Sequence, residues 1–279
     1  MSVPGPPRIA IVVVSWNSAS DLATCLGSLA HVTLPVEVVV VDNASTDGSA
    51  DIARAVRPAV TVIEAGDNLG FARASNRGWR ATSASFVLFL NPDAVLEAGA
   101  VEALVALLES RPDVGIVGPA TFNRDGTPQV SFGPDLTPLA EWRQSGLVRA
   151  VRARDPETLR TLGATIAREQ EPDWISGSCL LARRSLLERL SGFDERFFLY
   201  EEDVDLCARA RASGSRVVFT PAARVTHGLG RSMEKASDRA RLEYARSHLL
   251  YYRKHRGWLA TGLLRILLML TRALGLRGR

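Results

Sequence analysis

The chain has 279 residues, 46% of them hydrophobic and 23% charged, which describes a globular protein with room for one sizeable core plus an appended element. Its three cysteines, Cys25, Cys179 and Cys207, lie far apart and form no CxxC or zinc-type spacing, which argues against a disulfide framework or a structural zinc site. A net charge of +4 does not by itself choose between nucleic acid, an anionic membrane surface and simple solubility.

The first apolar run, Ile9 to Val14, is shorter than a signal-peptide core and is closed by Ser15, Trp16 and Asn17, so the expectation is a cytoplasmic protein with no N-terminal anchor. Val36 to Val41, Val60 to Ile63 and Phe86 to Leu90 follow, short and rich in β-branched residues, as in strands buried on both faces of a parallel sheet. Helical segments are predicted between them at Ala19 to Ala30, Ser49 to Val56 and Ala72 to Ala81, a βαβ grammar that winds into a doubly wound sheet. A further helix is expected over Ala98 to Ser110. The stretch from Asn123 to Pro172 then reads as a long insertion with one helix near Asp155 to Leu162, and regular structure resumes at Trp174, with a helix through Leu190.

Each apolar strand is followed at once by polar groups. Ser15-Trp16-Asn17 closes the first, Asp42-Asn43 and the turn to Gly48 the second, and Asn91-Pro92-Asp93 the fourth. Ligands of open parallel sheets bind outside the carboxyl ends of the strands. Turn formation alone explains any one of these loops about as well as ligand binding does; three together favour a shared crevice. No GxGxxG or GxxxxGK[ST] is present, so the ordinary dinucleotide and P-loop readings lose their main support.

The ordered blocks Val14 to Asn17, Val41 to Gly48, Asn68 to Asn76, Leu90 to Asp93, Gly192 to Glu195, Phe197 to Asp205 and His227 resemble the family-2 glycosyltransferases of GT-A fold, especially the bacterial rhamnosyltransferase-like members, over about Ile9 to Arg256. The resemblance implies an α/β nucleotide-diphospho-sugar transferase fold: a Rossmann-like, mostly parallel sheet flanked by helices, with a C-terminal helical extension. It implies a transferase domain over 1–232, the nucleotide-sugar half to about 120 and the acceptor half beyond, followed by a helical segment over 233–279. It assigns donor binding to Ser15, Asn17, Asp42, Asn43, Asn68, Gly70, Arg73, Asn76, Asn91 and Asp93, with Asp42 on the pyrimidine base and Gly70 permitting close backbone approach.

Asn91-Pro92-Asp93 resembles the family's DxD site with its first acid replaced, so that Asp93 and His227 are the expected ligands of Mg²⁺ or Mn²⁺. Without that context a lone histidine is more often structural. Asp203 matches the family's catalytic base, with Glu202 as its positioning neighbour, and Trp174, Ser176, Gly177 and Tyr200 fall on the acceptor side. Trp174 serves a sugar face or the core with equal plausibility. The acids from Glu201 to Asp205 also suit simple capping of a helix N-terminus, but four in five positions exceed what capping needs. Their like charges are expected to raise the proton affinity of Asp203 against the helix dipole and a metal.

The Leu-rich tail from Trp258 to Leu276 carries Arg265, Arg272 and Arg279 at intervals of seven, with Leu263, Leu264, Ile266, Leu267, Leu270 and Leu274 over much of the remaining surface, and the basic run Arg253 to Arg256 precedes it. This pattern suits a helix lying on an anionic membrane surface better than one crossing it, with packing of subunits, as in a homodimer, the competing use. The combined expectation is an inverting transferase peripheral on the inner face of the cell membrane. It would move L-rhamnose from TDP-L-rhamnose, or a hexose such as galactofuranose from a UDP-sugar, to a polyprenyl-diphosphate-linked saccharide in cell-envelope polysaccharide synthesis. The contrasting expectations are a non-catalytic nucleotide-binding subunit and a sugar nucleotidyltransferase, the latter disfavoured because Ser15-Trp16-Asn17-Ser18 is neither Gly-rich nor basic. No basic stripe interleaves with aromatics, so nucleic acid is not an expected partner.

Overall fold

The computed structural model describes residues 8–56, 60–228 and 238–273. The first half runs β1 (Ile9–Ser15), α1 (Ala19–Ser28), β2 (Val36–Asp42), α2 (Ser49–Ala55), β3 (Thr61–Glu64), α3 (Gly70–Arg80), β4 (Phe86–Leu90), β5 (Ala94–Leu96) and α4 (Ala100–Ser110). The second runs β6 (Val114–Phe122), β7 (Phe132–Gly133), α5 (Pro138–Arg152), α6 (Pro156–Ile166), β8 (Trp174–Ile175), β9 (Cys179–Arg183), α7 (Arg184–Leu190), α8 (Glu202–Ala212), β10 (Arg216–His227), α9 (Asp238–His255) and α10 (Gly257–Ala273).

The main sheet has the order β3-β2-β1-β4-β9-β6-β10-β5. Its β3-β2-β1-β4 portion is parallel throughout, while β9 runs antiparallel between β4 and β6. Every residue of β1 is buried, which demands cover on both faces. Side-chain alternation sorts the core accordingly. Ile9, Ile11 and Val13 join Leu22 and Leu26 of α1 and Leu104 of α4 on one face; Val12, Val87 and Phe89 join Trp79, Leu206 and Phe193 on the other. The chain leaves β1 for β2 on one side and reaches β4 on the other, so a crevice opens above the carboxyl end of β1.

Three expectations are corrected. The insertion holds a second helix, α5, whose start is set by Thr137, which accepts from the Ala140 N–H at 3.2 Å, and by Pro138 in the first turn. It escaped the periodicity reading because it buries no residue fully.

Secondly, α9 is no appendage, since Tyr251 and Tyr252 are buried in the second core layer and their hydroxyls donate to Asp135 and Glu141, both at 2.5 Å. The expected boundary at 232 lies outside the described residues. Thirdly, most of the basic run 253–256 is spent inside the protein. Lys254 pairs with Asp194 at 2.7 Å and Asp205 at 2.6 Å, His255 with Asp205 at 2.7 Å, and Arg256 with Asp135 at 2.8 Å. Only Arg253 points outward.

Candidate active site

Ser15 and Asp42 are register partners at the ends of β1 and β2, and the Asn43 N–H donates to the Ser15 carbonyl at 2.8 Å. Asp42 is buried, with Oδ2 accepting from the Ser45 N–H at 3.1 Å. Its Oδ1 and the Ser15 hydroxyl are buried with no hydrogen-bond partner among the described residues. Buried polar atoms are nearly always paired, so these two are among the few described buried side-chain atoms left without a protein partner. Asn17, at φ +51°, accepts from the Thr46 N–H at 2.8 Å and donates its own N–H to Ser45 Oγ at 3.0 Å, lacing the β1 loop to the β2 loop.

The second donor loop is built around Asn43. Its amide donates to Asn68 Oδ1 at 2.9 Å and to the Gly70 carbonyl at 3.3 Å, and its oxygen accepts from the Leu69 N–H at 2.8 Å. Gly70 sits at φ +79°, where a Cβ would lie 2.2 Å from the Phe198 carbonyl oxygen. The close approach expected there is therefore to protein backbone, sealed by the Phe71 N–H on the same oxygen at 2.7 Å. Asn76 also departs from expectation. It is fully buried, donates to the Phe193 carbonyl at 2.8 Å and Glu195 at 3.0 Å, and accepts from Trp79 and from the Phe193 N–H. These bonds use up its polar atoms in fastening α3 to the segment before α8. Arg73, half exposed, pairs with Glu195 at 3.3 Å.

Asn91, Asp93 and His227 do come together. His227 Nε2 lies 3.2 Å from Asp93 Oδ1 and 3.2 Å from Asn91 Nδ2, because β5 and β10 pair antiparallel with His227 opposite Ala94. Gln129, which sequence reading missed, faces His227 Nδ1 at 3.2 Å and donates to the His227 carbonyl at 2.7 Å. With Nδ1–H donated to Gln129, the Nε2 lone pair faces the Asp93 carboxylate, an acceptor set suited to a cation and oriented in the manner of metal-ligating histidines. No group of three or more His, Cys, Asp or Glu gathers as a cation site among the described residues. Nothing in the sequence around Pro128-Gln129-Val130 announces Gln129's role.

Asp203 stands in the first turn of α8. Its Oδ2 accepts from the Gly177 N–H at 2.7 Å and its Oδ1 from the Val204 N–H at 2.8 Å. Burial raises its pKa above the usual carboxylate range, with the backbone hydrogen bonds opposing. The expected like-charge effect falls on Glu202 and Glu201 and is not among the causes of the Asp203 shift. Burial raises the pKa of Asp205 too, but His255, Arg209 and Lys254 outweigh that and hold it low. Burial, then the proximity of Asp203, pushes the Glu202 pKa well up. Glu201 is raised by burial while its Oε1 meets His248 Nδ1 at 2.6 Å.

Of the remaining acceptor-side residues, Ser176 Oγ donates to Ser178 Oγ at 3.1 Å and Tyr200 meets Tyr244 edge-on at 5.7 Å. The Trp174 indole donates to the Pro134 carbonyl at 2.8 Å and packs against the second core layer, which is the packing use of this tryptophan. The turn 176–178 joins the two chemical centres. Gly177 holds Asp203, and the next residue, Ser178, accepts from the Asn91 N–H at 2.9 Å through its carbonyl. The turn 176–178 thus lies between the Asn91–Asp93–His227 cluster and the buried Asp203 carboxylate.

That arrangement defines a sugar-nucleotide-dependent transferase. The family model described as glycosyltransferase like family 2 matches residues 6–245, and the chain belongs to that family. Among curated proteins it is 32% identical over 263 residues to the N-acetylglucosaminyl-diphospho-decaprenol L-rhamnosyltransferase of Mycobacterium tuberculosis, spanning 89% of this chain and 85% of that protein. It is 26% identical to the rhamnosyltransferase WbbL of Escherichia coli over 53% of this chain and 54% of that one. Among solved structures, the mannosyltransferase PcManGT from Pyrobaculum calidifontis, in complex with GDP-Man and Mn²⁺, superposes with a TM-score of 0.61 at 21% identity over 89% of this chain. The S. aureus TarS 1-349 structure gives 0.56 at 21% identity over 87% of this chain. The chain spans 64% and 65% of those two structures, and the likeness establishes the GT-A fold.

Proposed function

We propose that this glycosyltransferase moves a sugar, in first place L-rhamnose from TDP-L-rhamnose, to a hydroxyl of a polyprenyl-diphosphate-linked saccharide, by single displacement with inversion. The observation that carries the mechanism is the turn 176–178, which fixes Asp203 and Asn91 through adjacent residues. Asp42 Oδ1, an acceptor without a protein donor, suits the N3–H of thymine or uracil.

Asp93 and His227 would hold Mg²⁺ or Mn²⁺, with Asn91 and Gln129 orienting them. When bound, the cation neutralises the charge that gathers on the departing diphosphate. Asp203 takes the proton of the acceptor hydroxyl as its oxygen forms the bond to the anomeric carbon and the bond from that carbon to the diphosphate oxygen breaks. The rhamnosyl donor and the lipid-linked acceptor are supported by the mycobacterial relative's name and its coverage of nearly the whole chain.

Nucleoside diphosphate release from a panel of TDP- and UDP-sugars, with and without Mn²⁺ or Mg²⁺ and a lipid-diphosphate saccharide, tests this reading. Release is expected from one donor, dependent on both acceptor and metal. Donor binding without turnover across wider acceptors would replace the enzyme reading with that of a nucleotide-binding subunit.

A place at the inner face of the cell membrane is supported by α10. Trp258 is 79% exposed, Leu259 68%, Leu263 64% and Met269 69%, while Leu264 and Thr261 face the domain. Arg253 near the end of α9 and Arg265 on α10 are exposed, and α10 carries no acid, a combination that attracts anionic lipid. No helix among the described residues is long and apolar enough to cross a membrane. Removing the chain from Gly257 onward, or replacing Trp258 and Leu263 together by Ser, is expected to abolish sedimentation with anionic vesicles. Sedimentation unchanged in both variants, or an α10-dependent homodimer that ignores vesicles, would remove the membrane assignment.

A further inference from the structure

We propose that α9 is a positioning element of the active site, acting through Ser247 and His248 on the left-handed corner that launches α8. The inference rests on the reading of Asp203 as the base. Tyr200 and Glu201 are consecutive non-glycine residues at φ +71° and +63°, a conformation that persists only where the surroundings impose it. Neighbouring residues of α9 supply the constraint. The Ser247 hydroxyl donates to the Leu199 carbonyl at 2.7 Å, and His248 Nδ1 lies 2.6 Å from Glu201 Oε1.

The clamp is anchored on its far side. His248 Nε2 lies 3.0 Å from Glu141 Oε2 on α5, and the other Glu141 oxygen accepts from the Tyr252 hydroxyl at 2.5 Å. With a carboxylate at each ring nitrogen, His248 is an imidazolium donating both ways. Burial opposes its charging, but Glu141 and Glu201 prevail and push its pKa up to about 10. Tyr244 stacks on the ring at 5.7 Å and meets Tyr200 edge-on, so the same corner is braced from above.

The corner matters because the Glu201 carbonyl accepts the Asp205 N–H at 2.9 Å, a bond of the first turn of α8. The direction of that peptide sets the turn on which Asp203 stands, and hence whether its carboxylate meets the Gly177 N–H. The donor loop reaches this segment at Phe198, whose carbonyl accepts the Phe71 N–H at 2.7 Å, one residue before Leu199, which α9 holds together with Glu201. Loosening the clamp leaves that bond in place and displaces the base.

The test uses the full chain carrying His248→Gln or His248→Ala, with turnover, donor KM and thermal midpoint measured together. Turnover is expected to fall about ten- to a hundredfold, the scale on which small misplacements of a catalytic group act, with donor KM within about twofold. Adding Glu201→Gly to His248→Gln is expected to return part of the lost turnover, since glycine adopts positive φ without a clamp and adds nothing to packing. Should His248→Ala fail to fold, Ser247→Ala removes the other arm and is expected to act with the same sign. Undiminished turnover in the folded variants, or a loss that follows the thermal midpoint and is not relieved by Glu201→Gly, overturns the positioning role. Asp203→Asn run alongside separates the two readings. Its inactivity beside a fully active His248→Gln overturns the clamp alone, and its full activity overturns the base.

Discussion

Asp203→Asn is expected to lower turnover by about 10²–10⁴-fold, the range that a positioned general base contributes, while the donor binds as before. The Gly177 and Val204 N–H groups donate to separate carboxylate oxygens, of which asparagine keeps one, so the thermal midpoint and donor binding of the variant are measured beside turnover to separate the proton-accepting step from the lost hydrogen bond. The pH profile carries the same signature. A base must be ionised, and burial raises the Asp203 pKa, so the acid limb of kcat/KM should lie above the ordinary carboxylate range. Activity is then present above that raised value and lost as pH falls through it. Steady-state kinetics across pH, together with nucleotide binding by calorimetry on the Asn variant, provide the check. Turnover at the wild-type rate would remove Asp203 from the mechanism.

Asp93→Ala should reduce kcat/KM on the order of 10²–10³-fold, because charge neutralisation at a leaving diphosphate is worth several kcal/mol. His227→Ala should follow in the same direction. The informative companion is Gln129→Ala, which keeps both ligands but frees the imidazole to rotate and should weaken metal affinity about tenfold. Raising the Mn²⁺ concentration is expected to restore the Gln129 variant and to leave the Asp93 variant impaired. Metal titration of donor binding followed by fluorescence measures all three. Metal-independent donor binding in the unmodified protein, unaltered by any of the substitutions, would show that the carboxylate–histidine pair serves structure instead.

The Asn residues of the donor loops show how the same side-chain chemistry divides between ligand and scaffold. Asn43 spends its amide on Asn68, Leu69 and Gly70, and Asn76 spends its own on Phe193, Glu195 and Trp79, whereas Asp42 and Ser15 each retain an unpartnered buried oxygen. Loop motifs name candidate residues but do not say which of their polar atoms the protein itself consumes. The acids before α8 divide likewise. Asp205 is paired with Arg209, Lys254 and His255 and Glu201 with His248, while burial pushes the Glu202 pKa well up. Among the described residues Asp203 is held by backbone N–H groups alone, and three of the partners of its neighbours arrive on a helix more than forty residues downstream.

Periodicity and β-branched runs were enough to place β1 to β4 and the helices between them, because a strand buried on both faces must be continuously apolar and a crossover helix must carry an apolar stripe. The motif order was enough to name the family and to single out Asp42, Asp93, Asp203 and His227 as candidates. The tertiary structure alone decided that α9 belongs to the core, that its basic run is largely neutralised within the domain, and that Gln129 and His248 stand behind the site. Those contacts join residues about fifty to more than a hundred positions apart through hydrogen bonds and ion pairs, which leave no periodic trace in the chain.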